Sequence, residues 1–200
     1  MLTLSRRSLV LGASATGAAW GLAGCNTAQT QYPAVGSNYR RQDIQFVTME
    51  PKGTIIVDPA RHYLYHVEEE GKARRYGVGV GGEGFGWSGQ AMVKSKQEWP
   101  DWYPTSDILQ HHPQIIPRLQ PLQGGQGVPG GPENPLGARA LYLWQDNKDT
   151  LYRIHGTNEP WTIGQNVSAG CIRLVNDDVI DLYDRTPVGT KVVVLTSAIG

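Results

Sequence analysis

Short apolar runs, each closed by glycine, proline or a polar cluster, set the rhythm of this chain from Gly53 onward. Gly53-Thr54-Ile55-Ile56-Val57-Asp58-Pro59 is a β-branched run stopped by proline and predicts a strand. Tyr63-Leu64-Tyr65-His66-Val67 predicts a second strand, Glu68-Glu69-Glu70-Gly71-Lys72 a solvated hairpin turn, and Arg74-Arg75-Tyr76-Gly77-Val78-Gly79-Val80 the return. Ala140-Leu141-Tyr142-Leu143-Trp144 and Tyr152-Arg153-Ile154-His155 predict two more, separated by polar residues 145–150. The period then changes. Val179, Leu182 and Tyr183 fall at i, i+3 and i+4, behind Asn176 as N-cap and Asp177 and Asp178 in the first turn, which predicts a helix. Pro187-Val188-Gly189-Thr190 turns the chain into a last strand, Lys191-Val192-Val193-Val194-Leu195. Between Gly81 and Gly137 no period emerges, so the reading there is a long irregular region rich in Gly, Pro, Trp and Gln.

The sum is a mainly-β domain with one or two short helices. Composition agrees: 25 glycines and 13 prolines in 200 residues argue against a helical bundle. Eighteen basic and eighteen acidic residues cancel, giving no electrostatic footprint for nucleic acid.

The N-terminus is a different material. Ser5-Arg6-Arg7-Ser8-Leu9-Val10-Leu11 leads into an uncharged Ala/Gly/Leu stretch, which reads as an export signal of the twin-arginine type over residues 1–25. The stretch is short for a spanning helix. Leu22-Ala23-Gly24-Cys25 resembles a lipobox, so two outcomes stand side by side: lipidation of Cys25, or ordinary cleavage nearby. Residues 26–48 read as a polar tether, and 49–197 as the functional domain.

Only two cysteines are present, Cys25 and Cys171. Cys171 lies in Val167-Ser168-Ala169-Gly170-Cys171-Ile172-Arg173, and His155 stands sixteen residues upstream in Ile154-His155-Gly156-Thr157. A thiol and an imidazole, each beside glycine in strand-like surroundings, are the equipment for covalent catalysis at an acyl carbon. Gly170 lets a ligand or another backbone come close, and Gly156 leaves room beside the base. Arg173, two residues past the thiol in a strand, shares its face, where it can lower the thiol pKa or bind a carboxylate.

Other signals carry less. Gly79-Val80-Gly81-Gly82-Glu83-Gly84 matches the dinucleotide fingerprint G-x-G-x-x-G, but Phe85-Gly86-Trp87-Ser88-Gly89 follows without the helical period that fingerprint requires. His62 and His66 lie four apart in a strand, too far to share a metal ion, and His111-His112-Pro113 has no nearby Cys or carboxylate, so no metal site is expected. Of six tryptophans, Trp87, Trp99, Trp102 and Trp161 fall in loop-like sequence and are candidates for lining a cleft.

His155-Gly156-Thr157 followed by Ser168-Ala169-Gly170-Cys171-Ile172-Arg173 resembles the signature of the L,D-transpeptidases with the YkuD-type catalytic domain. The likeness extends from Gly53-Thr54-Ile55-Ile56-Val57, through the loop Pro129-Gly130-Gly131-Pro132-Glu133-Asn134-Pro135-Leu136-Gly137-Ala138-Arg139, to Pro187-Val188-Gly189-Thr190-Lys191-Val192. One departure is Ala169, where many members carry histidine.

The resemblance implies a β-sandwich-like catalytic domain acting on peptidoglycan stem peptides without a cofactor. It makes Cys171 the nucleophile at the third residue of a tetrapeptide stem, with D-alanine leaving, and His155 the base. It assigns the amides around Gly170 and Cys171 to the oxyanion and the Gly156 carbonyl to orienting the imidazole. Arg173 and Ser168 would position substrate or loop. The acceptor stays open: a stem-peptide amine giving a 3→3 cross-link, a protein amine such as that of a wall-attached lipoprotein, or water, which makes an L,D-carboxypeptidase or a cross-link-cleaving amidase. A lipid-anchored wall-binding module with a vestigial site is the non-enzymatic alternative. The expected location is the periplasm, with membrane contact only through a lipid on Cys25.

Overall fold

The computed structural model describes residues 35–82 and 85–196. The export segment 1–25, with Cys25 and the twin arginine, lies outside the described residues, as does the tether up to residue 34. A 3₁₀ turn at Ser37–Tyr39 leads into β1 (Gln42–Gln45), so the end of the stretch read as a tether is a strand. β2 (Ile55–Asp58), β3 (Tyr63–Val67) and β4 (Lys72–Gly77) follow, then β5 (Val80–Gly81), β6 (Gly89–Glu98) and α1 (Ser106–His111). After a 3₁₀ turn come the small hairpin β7 (Gln120–Leu122) and β8 (Gly125–Gly127), and the long hairpin β9 (Arg139–Gln145) and β10 (Lys148–His155). β11 (Asn166–Ser168), β12 (Ile172–Arg173), α2 (Asn176–Arg185) and β13 (Lys191–Val194) complete the fold.

Nine strands form one mixed sheet in the order β1-β4-β3-β2-β13-β6-β9-β10-β12. Alternate residues of strands from β4 to β12 feed one core, among them Tyr76, Leu64, Ile55, Val192, Val93, Leu141, Ile154 and Ile172. Strands at opposite ends of the order can share a core only if the sheet curls around it. The chain makes that closure itself. Leaving β4, it reaches the far edge, where Gly79 and Arg173 of β12 exchange backbone hydrogen bonds of 2.9 and 2.8 Å. The sandwich-like, mainly-β expectation therefore holds, and the closing seam lies beside Cys171. A smaller cluster, Ile56, Tyr65, Val67 and Ala73, covers the other face of β2–β4, and Phe46 stacks on Tyr65 at 4.4 Å to seal it.

The predicted helix is α2, seated on the core by Val179 and Leu182. Its N-cap differs from the reading: Val175 occupies that position without a side-chain cap, and Asn176 begins the first turn. The irregular region 81–137 contains the ten-residue strand β6, bonded to β13 on one side and β9 on the other. Its sequence hid it, because Ala91 and Val93 alone are buried while Met92 and Lys94 are exposed. Residues 145–150 are mostly strand as well. The turn between β9 and β10 is only Asp146 and Asn147, both at positive φ.

Candidate active site

β10 and β12 run parallel, with Ile154 opposite Ile172 and His155 opposite Arg173. Both isoleucines point into the core, so the alternation of side chains sends His155 and Arg173 to the other face. Cys171 precedes β12 by one residue and shares the parity of Arg173. Strand register thus sets the imidazole beside the guanidinium, two residues past the thiol.

His155 is buried, and its Nδ1 lies 2.5 Å from the Gly156 carbonyl oxygen. A carbonyl only accepts, so Nδ1 carries the proton and Nε2 is left as the basic nitrogen. Burial, and then the charge of Arg173, push this imidazole down to about 3, against the pull of the Gly156 carbonyl. Burial likewise pushes the half-buried Cys171 thiol up, opposed by the Arg153 backbone N–H and the charges of Arg153 and Arg173. At rest both groups are neutral.

The turn carrying the thiol is held by Ser168. Its buried hydroxyl donates to the Cys171 carbonyl (2.5 Å) and accepts from the Gly170 N–H (3.2 Å). Of the two roles read for Ser168, substrate or loop, its hydrogen bonds belong to the loop. Gly170 sits at φ +108°, and a Cβ there would overlap the Tyr152 ring and the Phe85 carbonyl. The glycine-rich run before it has the same explanation. A Cβ on Gly81 would come within 3.0 Å of Gly170 Cα and of the Phe85 carbonyl. These glycines let the β5 segment lie against the cysteine turn. The described part of that motif, through Gly82, leads into no helix.

Arg173 pairs with Glu159 at 3.1 Å, and its Nε is buried without a partner in the structure. Glu159 lies in the loop after His155-Gly156-Thr157 and was not legible as a site residue. Neither was Asn176. Its side-chain oxygen accepts from the Ala138 N–H (2.9 Å) and the Thr157 N–H (3.2 Å), tying the pre-catalytic loop, the histidine loop and α2 at one atom. Gly156 carries no Cβ where one would strike that same oxygen. Of the tryptophans read as cleft candidates, Trp87 stacks on Tyr152 at 5.1 Å, directly behind Gly170. Trp102 instead pairs its backbone with Val128. Phe85, Leu151 and Val167 are exposed on segments bordering the thiol turn.

The site thus sets a thiol just before β12 and an Nδ1-anchored imidazole at the end of β10, in a mainly-β sandwich. The comparison with known proteins names the class: the chain belongs to the YkuD family, the L,D-transpeptidase catalytic domain, whose model matches residues 52–194. Among its relatives is the probable L,D-transpeptidase ErfK/SrfK of Escherichia coli K12. It is 36% identical over 144 residues, covering 70% of this chain and 43% of that one. A crystal structure from Brucella melitensis, described as a probable carnitine operon oxidoreductase caia, is 49% identical. It covers 79% of this chain and 94% of that one, with a TM-score of 0.51. An L,D-transpeptidase from Mycobacterium smegmatis shares the fold at 18% identity and TM-score 0.50, covering 72% of this chain and 59% of that one. The chain spans less than half the length of the curated relatives it matches.

Proposed function

We propose that this chain is an exported peptidoglycan L,D-transpeptidase in which Cys171 carries the acyl group and His155 moves the proton. The supporting observation is the register of β10 on β12. It sets His155 beside the arginine of the cysteine motif, with Nδ1–H fixed on Gly156 and Nε2 left to act as base. Because thiol and imidazole rest neutral, the sulfur is activated as substrate arrives and is not stored as an ion pair.

As the sulfur bonds to the carbonyl carbon after the third stem residue, its proton passes to Nε2. The oxyanion is received by the backbone N–H groups of the 170–171 turn, that of Gly170 being shared with Ser168. Collapse breaks the amide bond, and His155 returns the proton to the departing amine of D-alanine. The thioester conserves the energy of that amide, so a second amine closes a new one and the sulfur regains its proton without nucleotide. Arg173, already paired with Glu159, braces the loop that follows the base. An export signal over residues 1–25, with a lipid on Cys25, would put this chemistry in the periplasm, where stem peptides are and ATP is not.

The oxidoreductase description of the Brucella relative is not carried over, since the glycines that resemble a dinucleotide motif serve here to seat the cysteine turn. Mass spectrometry of products from purified tetrapeptide muropeptides tests the reading. Cross-linked dimers with released D-alanine support transfer, and tripeptides alone mean that water is the acceptor. Sacculus binding without turnover would leave only a binding module.

A further inference from the structure

β10 does not run straight into the site. Asp149 lies opposite Trp144 and Arg153 opposite Tyr142, so residues 150–152 face the single residue Leu143. Such a bulge breaks the ladder and leaves polar backbone groups to be re-paired. Here local side chains re-pair them. The Asp149 carboxylate accepts two hydrogen bonds from Arg153, at 2.7 and 2.8 Å, and a third from the Leu151 N–H at 2.8 Å. Thr150 donates to the Leu143 carbonyl at 2.6 Å and accepts from the Tyr152 N–H at 3.2 Å. The Arg153 guanidinium also bonds the Tyr152 carbonyl at 3.0 Å and lies 4.4 Å over the Tyr142 ring.

At the tip Leu151 adopts φ +62°, a left-handed conformation unfavourable to a residue with a branched side chain. No burial offsets it, for Leu151 is 72% exposed. Strain of this kind persists where the surroundings over-determine it, and it clusters at working sites. What the bulge delivers is next to the sulfur. The Leu151 carbonyl oxygen lies 4.0 Å from Cys171 Sγ, and the Tyr152 ring is turned against Gly170.

We infer that the β10 bulge is a positioning device for the nucleophile. The left-handed turn at Leu151, clamped by Asp149 and Arg153, holds the Leu151 carbonyl and the Arg153 N–H against the Cys171 sulfur. The carbonyl can accept from the thiol at rest; the N–H can donate to the thiolate once the proton has gone to His155. The second of these already opposes the effect of burial on the thiol. The charges that act on the sulfur are those of Arg153 on β10 and Arg173 on β12, with neutral His155 beside them. Asp149 and Leu151 are accordingly positioning residues, and it is the backbone of Leu151, not its side chain, that matters.

This inference rests on Cys171 being the nucleophile, yet its test needs no substrate. In the full chain, the pH dependence of Cys171 alkylation by iodoacetamide, followed on the Cys171 peptide by mass spectrometry, reports how readily the thiol ionises. Leu151→Gly suits a left-handed turn and should leave the midpoint at the wild-type pH. Leu151→Val keeps an apolar side chain but resists that turn, and Asp149→Ala removes the clamp. Both should move the midpoint by about one pH unit, a tenfold change of rate near neutrality. The inference is overturned if Leu151→Val keeps the wild-type midpoint, or if Leu151→Gly moves it as far as Leu151→Val does. Should Asp149→Ala fail to fold, the two exposed-site Leu151 variants decide alone. This pattern in a chain that never forms a thioester from a stem peptide would sink the transferase reading and leave the bulge standing.

Discussion

Replacing Asn176 with alanine removes one oxygen atom that three segments share. Ala138 and Thr157 are both buried, so their N–H groups would lose their acceptor without gaining water. An unsatisfied buried N–H costs about 1–3 kcal/mol, and the longer Thr157 bond is the weaker of the two. The expected loss of stability is therefore about 2–4 kcal/mol. For a domain of this size that lowers the melting temperature by roughly 5–15 °C. Asn176→Asp keeps the acceptor, and its charge at the start of α2 is favoured by the helix dipole, although Asp177 and Asp178 oppose it. It should retain at least half of the lost stability. Because the same atom anchors the loop after His155, kcat should fall at least about tenfold in Asn176→Ala, with KM little changed. Thermal melts and turnover on a tetrapeptide stem measure both. The reasoning is refuted if Asn176→Ala melts within a degree of wild type, or if Asn176→Asp is no better than alanine.

Two further outcomes follow from the same geometry. Gly170→Ala places a methyl into the Tyr152 ring at φ +108°, and overpacking of this kind costs about 1–3 kcal/mol; a chemical denaturation series should show it, together with loss of thioester formation. Asp178 is pushed up from 3.8 to about 6 by burial, then by Asp177 and Asp181, against Arg41 at 3.7 Å. Its contribution to stability is present below pH 3.8, where both states hold the proton, and is lost as pH rises through about 6. Asp178→Asn should thus be more stable than wild type at pH 8, by up to roughly 3 kcal/mol less the lost Arg41 pair, with the gain vanishing near pH 4. An equal effect at both pH values would contradict it.

The strands that carry their own apolar alternation were legible in the chain, as was α2. β3 stands at the residues read for it, because Tyr63 to Val67 is bounded by turn residues on both sides. β6 was not legible. Only Ala91 and Val93 reach the core, and the hydrogen bonds of β13 and β9 hold the rest as strand whatever its polarity. Cys171 and His155 could be read as candidates from residue types and glycines, and the structure sets His155 opposite Arg173, two residues past the thiol. Asn176, Glu159 and the Asp149–Arg153 clamp could not. Asn176 looked like a helix cap from its neighbours, and only the approach of residues 138 and 157 shows where its oxygen goes. The bulge was invisible for a similar reason: a two-residue excess exists only relative to β9.

The most direct test of the central claim is to trap the acyl-enzyme. The full chain is mixed with a tetrapeptide stem, quenched in acid and mapped by mass spectrometry. The account predicts a tripeptidyl thioester on the Cys171 peptide with stoichiometric release of D-alanine, absent in Cys171→Ala and formed far more slowly in His155→Ala. An adduct that survives in Cys171→Ala, or D-alanine released with no sulfur-linked intermediate in any variant, would contradict it.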